Sequence, residues 1–236
     1  MHKGLHIPLY VLILPVIFIS IVACRDYGSP GDIYNNVMRD IVTYEGISDG
    51  GVSLFSYQAH DDSPVITLEA GNYTDTLWTK GMRIMIQYYE LEPLSGNSTS
   101  QIQLTGLIPT LWDSLRYASP RKLQQLTSNP IKLNSIWRSG KYINVNTLLQ
   151  TTDSTRLVAL LVNSEELTNN THTKVKATFI DDILGRPAFF YRQAYMSFDT
   201  EPLWATFPDC DTLEIEVNDL RFPNVKSYTF SRPKGL

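Results

Sequence analysis

Four carboxylate pairs are the side chains best placed to do chemistry: Asp61/Asp62, Glu165/Glu166, Asp181/Asp182 and Asp209/Asp211. Glycosidases need two carboxyl groups facing each other across a cleft. Each pair here lies in a turn-like segment, where an acidic side chain bonds its own backbone, so turn formation is the expected role. Asp209 and Asp211 with nearby Glu201 offer oxygens of the kind Ca²⁺ takes. They lack a glycine-bearing loop of recognisable spacing, and no metal is assigned to them. After residue 23 the only histidines are His60 and His172, far apart and each in a polar turn. A nucleophile needs a base within hydrogen-bond reach, and no His-Glu-x-x-His, paired Cys-x-x-Cys, Gly-x-Ser-x-Gly or phosphate-binding glycine loop occurs. Cys210 stands between Asp209 and Asp211, whose charge disfavours a thiolate. We therefore expect no catalytic residue, no cofactor and an inert Cys210.

The other cysteine has a clear chemical role. His2 and Lys3 open the chain, Ile7 to Ile21 form an apolar run too short to span a bilayer comfortably, and Ile21-Val22-Ala23-Cys24 follows. This resembles the bacterial lipobox. The Cys24 thiol would carry the diacylglycerol, and the small Ala23 would let a signal peptidase cut between Ala23 and Cys24. Residues 1–23 then read as a lipoprotein signal peptide, and 24–32, with its Gly, Ser and Pro, as a flexible tether. Each buried CH₂ contributes about 0.8 kcal/mol, so multiple acyl chains give lasting attachment. Arg25 follows Cys24, so no Asp stands there to argue for inner-membrane retention. The expected place is the outer membrane, on its periplasmic face.

What must position any site downstream is β-structure. The chain of 236 residues is 43% hydrophobic and 19% charged, with 13 Tyr and 9 Phe, a composition that favours a packed core and pleated, half-buried surfaces. Alternating or apolar runs at Asp40–Tyr44, Val52–Tyr57, Pro64–Leu68, Met82–Leu91 and Gln101–Ile108 are separated by Gly-, Asn- and Asp-rich turns and predict a small barrel or sandwich over 33–115. In the strongest run Met82, Ile84 and Ile86 share one face, and Arg83, Met85 and Gln87 the other. Residues 116–130 read as a linker, with a short helix capped at Ser119-Pro120. Seven further runs over 131–236, the first two joined tightly at Ser139-Gly140, predict a β-sandwich. Charge is uneven. Residues 33–115 hold three basic and ten acidic residues, a net of −7, which argues against a nucleic-acid partner. Of the four tryptophans, Trp112, Trp137 and Trp204 read as core or interdomain anchors, and Trp78, in a polar turn, as the exposed binding contact.

Two short motifs carry a family resemblance. Gly81-Met-Arg-Ile-Met-Ile-Gln-Tyr88 is similar to the Gly-x-Arg strand of the NigD-like lipoproteins of Bacteroidota, and Ile136-Trp137-Arg-Ser-Gly140-Lys-Tyr142-Ile-Asn144-Val145 to their Trp…Gly-Tyr-Leu-Asn segment. The resemblance implies an N-terminal OB-like barrel and a C-terminal β-sandwich, and no particular reaction. Bacteroidota O-glycosylate exported proteins at Asp-Ser/Thr followed by an aliphatic residue or Thr, which singles out Thr76, Ser114, Ser154 and Thr212. The expected function is a non-catalytic envelope lipoprotein that binds a protein or glycan partner. A carboxylate-dependent hydrolase and a structural spacer are the alternatives.

Overall fold

A computed structural model of the protein describes residues 37–75, 77–91, 98–152, 156–168 and 173–235. The signal peptide, Ala23, Cys24, the tether, Thr76, Ser154 and His172 lie outside these residues. Val37–Leu236 form one compact unit. Among the described residues, no helix is long and apolar enough to cross a membrane.

The first five strands are β1 (Met38–Ile47), β2 (Ser53–Tyr57), β3 (Ile66–Ala70), β4 (Arg83–Glu90) and β5 (Thr99–Pro109). They close into a barrel in the order β1-β2-β3-β5-β4. Successive side chains on a strand point to opposite faces, and here both faces are used. Val42, Tyr44, Ile84, Ile86 and Tyr88 turn inward and are buried with Phe55, Leu68 and Ile102. The alternate residues Ile41 and Met85 face out, yet they are buried too, in a cluster with Ile108 of β5 and with Tyr195 and Trp137 from beyond the barrel wall. The strand parity read from Met82–Gln87 is therefore observed, and its outward set is covered rather than solvated.

The remaining chain forms a sandwich. One sheet, in the order β14-β13-β11-β10-β7, contains β7 (Arg116–Ala118), β10 (Leu157–Asn163), β11 (Lys174–Asp182), β13 (Thr212–Val217) and β14 (Lys226–Ser231). The facing sheet, β6-β12-β9-β8, contains β6 (Leu111–Ser114), β8 (Lys132–Ser139), β9 (Tyr142–Gln150) and β12 (Tyr191–Asp199). Their inner faces share one core, where Phe179 and Phe198 meet edge to face at 6.1 Å. The short helix α1 (Pro120–Gln125) starts where the sequence places it: the Ser119 Oγ accepts from the Lys122 N–H, and Pro120 fills the first turn. Leu123 and Leu126 cover the outer face of β10 and β11. A second helix, α2 (Glu201–Thr206), drives Leu203 and Trp204 into the core, with the Trp204 Nε1–H donating to Thr200 Oγ1 at 3.0 Å.

The sequence-based boundary needs correction. The barrel ends at Pro109, not at 115, and 116–130 is not a free linker. Leu111–Ser114 pairs in parallel with β12, and Arg116–Ala118 pairs in parallel with β10 in the opposite sheet. Leu115, buried between them in the sandwich core, is where the chain crosses from one sheet to the other. Strands of four and three residues carry too little periodicity to be seen in a sequence.

Candidate functional site

The two motifs that carried the family resemblance meet each other. Arg83 faces outward from β4, and its guanidinium lies 4.2 Å from the ring centroid of Tyr142 on β9. Its Nη2–H donates to Asn144 Oδ1 at 3.1 Å, Nε–H to Ser197 Oγ at 3.0 Å, and Nη1–H to Thr43 Oγ1 at 2.8 Å. Only 3% of the residue is exposed, and burial pushes its pKa down to about 10. A second buried arginine, Arg138 on β8, pairs with Asp62 at 2.8 Å. The Asp61 N–H donates to the Arg138 carbonyl, and the Gly140 N–H to the Asp61 carbonyl. Gly140 has φ +56°, and a Cβ there would strike the Gln58 side chain of the barrel. The positive φ is what calls for glycine, since the Gln58 amide end can swing aside. The motif residues thus form the seam that fixes barrel to sandwich.

The carboxylate pairs are mostly structural. Asp61/Asp62 serve the seam. Asp181 is bonded by the Arg156 Nε–H at 2.8 Å. Asp182 accepts the backbone N–H groups of Thr127 and Leu184. Glu165/Glu166 open a single 3₁₀ turn, Ser164–Thr168. Glu201 bonds Lys141 rather than joining Asp209 and Asp211. Among the described residues no group of three or more His, Cys, Asp or Glu is gathered as a metal site. Cys210 is buried, and burial raises its thiol pKa further. His60 sits in an exposed turn, its N–H donating to Ser63 Oγ.

The tryptophan expectation is reversed. Trp78 is half-buried and stoppers one end of the barrel, its ring centroid 5.2 Å from those of Tyr44 and Tyr73 and 6.1 Å from Phe55. Its polar neighbours in sequence hide this, because the turn folds back over the barrel end. Trp78→Ala is expected to lower stability by about 2 kcal/mol. A denaturation midpoint unchanged from wild type would show the ring to be a bystander. Trp112 on β6 is the exposed indole. Of the described glycosylation candidates, Ser114 is exposed at the end of β6, and Thr212 is half-buried, its hydroxyl bonded to Asp211.

The opposite end of the barrel is open, and the sequence reading passed over it. Asp40 shares the inward parity of Val42 and Tyr44, so a carboxyl group points into the barrel mouth. The Tyr88 O–H donates to it at 2.9 Å, and Tyr57 bonds it as well. With Arg39, Ile66 and Glu90 these residues line a groove of about 390 Å³. Burial raises the Asp40 pKa above its ordinary 3.8, and the two phenols pull it partly back. Burial, and then the same carboxylate, hold both phenols well above their usual range. The detectable signal was an acidic residue at an inward position of a strand, read instead as a strand end.

No family model matches the sequence, and no curated protein matches it. Solved structures do. The chain shares its fold with a NigD-like immunity protein from Bacteroides caccae. That protein is 16% identical, with a TM-score of 0.59 over 85% of this chain and 99% of that one. A protein of unknown function from Bacteroides vulgatus matches with a TM-score of 0.66 at 17% identity, over 85% and 92% of the two chains. A protein designated a lipoprotein, from Bacteroides fragilis, matches with 0.58 at 10%, over 84% and 98%. At such identities the likeness establishes the fold: barrel plus sandwich, as the NigD-like resemblance implies.

Proposed function

We propose that the protein is a non-catalytic envelope lipoprotein, held in the outer membrane by lipid on Cys24, whose barrel mouth binds a glycan. The carrying observation is Asp40. A carboxyl group is kept inside an open, tyrosine-walled groove although its burial disfavours the charged form. A carboxylate accepts hydrogen bonds from neighbouring sugar hydroxyls, and tyrosine rings give the apolar faces of a sugar something to stack on. The fold shared with a protein designated a lipoprotein and with a NigD-like immunity protein supports the envelope setting.

The test is retention of the purified mature protein on an array of bacterial envelope oligosaccharides. Wild type should be retained, and Asp40→Asn should bind at least about tenfold more weakly, the loss of one charged hydrogen bond. Failure of the wild type to bind any sugar, or equal binding by the variant, would refute the groove as the site. Stability moves the other way. A carboxyl group whose folded pKa is raised weakens the fold as pH climbs through the interval above 3.8. Asp40→Asn should therefore be more stable than the wild type at neutral pH, and its stability should fall less than that of the wild type as pH rises above 4.

A second reading, a protein partner, is favoured by Leu111 and Trp112. Both are exposed on β6, the edge strand of its sheet, where a buried-on-binding indole is a common anchor.

A further inference from the structure

One end of the sandwich carries an apolar tip that nothing described so far uses. β11 and β13 are neighbours and run in parallel, so the turn after each leaves the same end of the sheet. The first turn exposes Leu184, Phe189 and Phe190, with Phe190 68% exposed. The second exposes Leu220, Phe222 and Val225. A soluble surface rarely gathers large apolar side chains this way without a use. Among the described residues the charges around them are one-sided. Residues 183–192 contain Arg186 and Arg192 and no acid. The acidic residues bordering the two turns, Asp181, Asp182 and Asp219, are all buried. Arg221 and Lys226 lie over the Phe222 ring. Exposed aromatics flanked by cations suit the boundary between lipid headgroups and acyl chains.

The seam shows which way this tip points. The Arg83 guanidinium reaches both Thr43 on β1 and Ser197 on β12. Two residues earlier on each strand, Ile41 packs with Tyr195. The two strands therefore cross the seam in the same sense, and their first residues lie toward the same side. β12 begins immediately after Phe190, and β1 begins at Met38. The described body thus begins, at Val37 and Met38, on the side that carries the tip. Twelve residues separate Cys24 from Val37, a reach of at most about 47 Å.

We propose that these two turns form a second membrane contact, with Phe189 and Phe190 entering an anionic phospholipid leaflet and Arg186 and Arg192 meeting its phosphates. This rests on the lipoprotein reading and adds an orientation to it: the sandwich tip faces the membrane that holds the anchor.

The experiment uses mature protein purified with its lipid, carrying Phe190→Cys and a fluorescent thiol label, on vesicles of phosphatidylethanolamine and phosphatidylglycerol with brominated acyl chains. A matching Ala205→Cys label reports the opposite end of the sandwich, where α2 lies. Cys210 is buried, and Cys24 does not react if it bears lipid, so one label per chain is expected. A second label would expose a free Cys24 and end the anchor reading by itself. The tip proposal expects the label at 190 to be quenched several-fold more than at 205, and the contrast to fall when phosphatidylcholine replaces phosphatidylglycerol or salt is raised. Equal quenching at both positions, or none at 190, would overturn it. So would crosslinking of position 190 to a protein in native membranes. A contrast indifferent to headgroup charge would refute the role given to the arginines.

Discussion

Arg83→Met is expected to cost about 3 kcal/mol of folding stability and to loosen the barrel on the sandwich. Methionine nearly fills the space of the arginine stem, so a cavity is not the main effect. The loss is of donors. Asn144 Oδ1, Ser197 Oγ and Thr43 Oγ1 each accept from one buried guanidinium. Stranding buried polar atoms costs about 1–3 kcal/mol apiece when nothing replaces the bond. Here Ser197 keeps its bond to Asn144, which holds the total down. Arg83→Lys should recover little, because an ammonium cannot present the planar fork that serves three acceptors and stacks on Tyr142 together. The measurement is denaturant unfolding followed by a barrel probe and a sandwich probe. Wild type should give one coincident transition, and Arg83→Met an earlier midpoint with the two probes drifting apart. A loss below about 0.5 kcal/mol, the range of ordinary surface substitutions, would mean the seam is held without Arg83, by the Arg138–Asp62 pair and the cluster of Ile41, Met85 and Tyr195.

Arg83 also marks the limit of what the sequence could tell. The alternation Met82–Gln87 showed which residues of the strand lie together, but not that the outer face would be covered. Only the docking of a second β-body makes an arginine on that face a buried bond donor, and that docking is set by residues 59 to 114 positions away in the chain. The motif around Trp137 and Asn144 was recognisable as a family mark, while its physical reason, a glycine crowded by Gln58 and an asparagine answering Arg83, exists only in three dimensions. The long strands were legible because they have enough residues to show a period of two. β6 and β7 were not, and so the domain boundary was drawn too late. Trp78 and Asp40 were misjudged in opposite directions for one reason. Local polarity was taken for exposure at Trp78, where a turn folds over the barrel end. Strand-end position hid the inward parity of Asp40.

Cys24→Ser should have the largest effect of any single substitution, and it acts on place rather than on folding. A thiol can form the thioether that carries diacylglycerol, and a serine hydroxyl in the same position is not a substrate for that step. Loss of two or more acyl chains removes tens of CH₂ groups at about 0.8 kcal/mol each, which converts lasting attachment into none. The body should fold as before, since Val37–Leu236 is a compact unit of its own. Fractionation of native cells should find the wild type wholly with membranes and labelled by palmitate. Cys24→Ser should be unlabelled, with uncleaved precursor or soluble product in its place. The sandwich tip sharpens this. Phe189, Phe190 and two arginines are a weak contact alone, far below an acyl anchor, but they act at the high local concentration set by the twelve residues between Cys24 and Val37. An unlipidated chain should therefore bind anionic vesicles only at low salt and release them as salt rises, while the lipidated chain stays bound. Wild-type protein that washes off membranes with salt would place the whole attachment in the tip and none in the thioether.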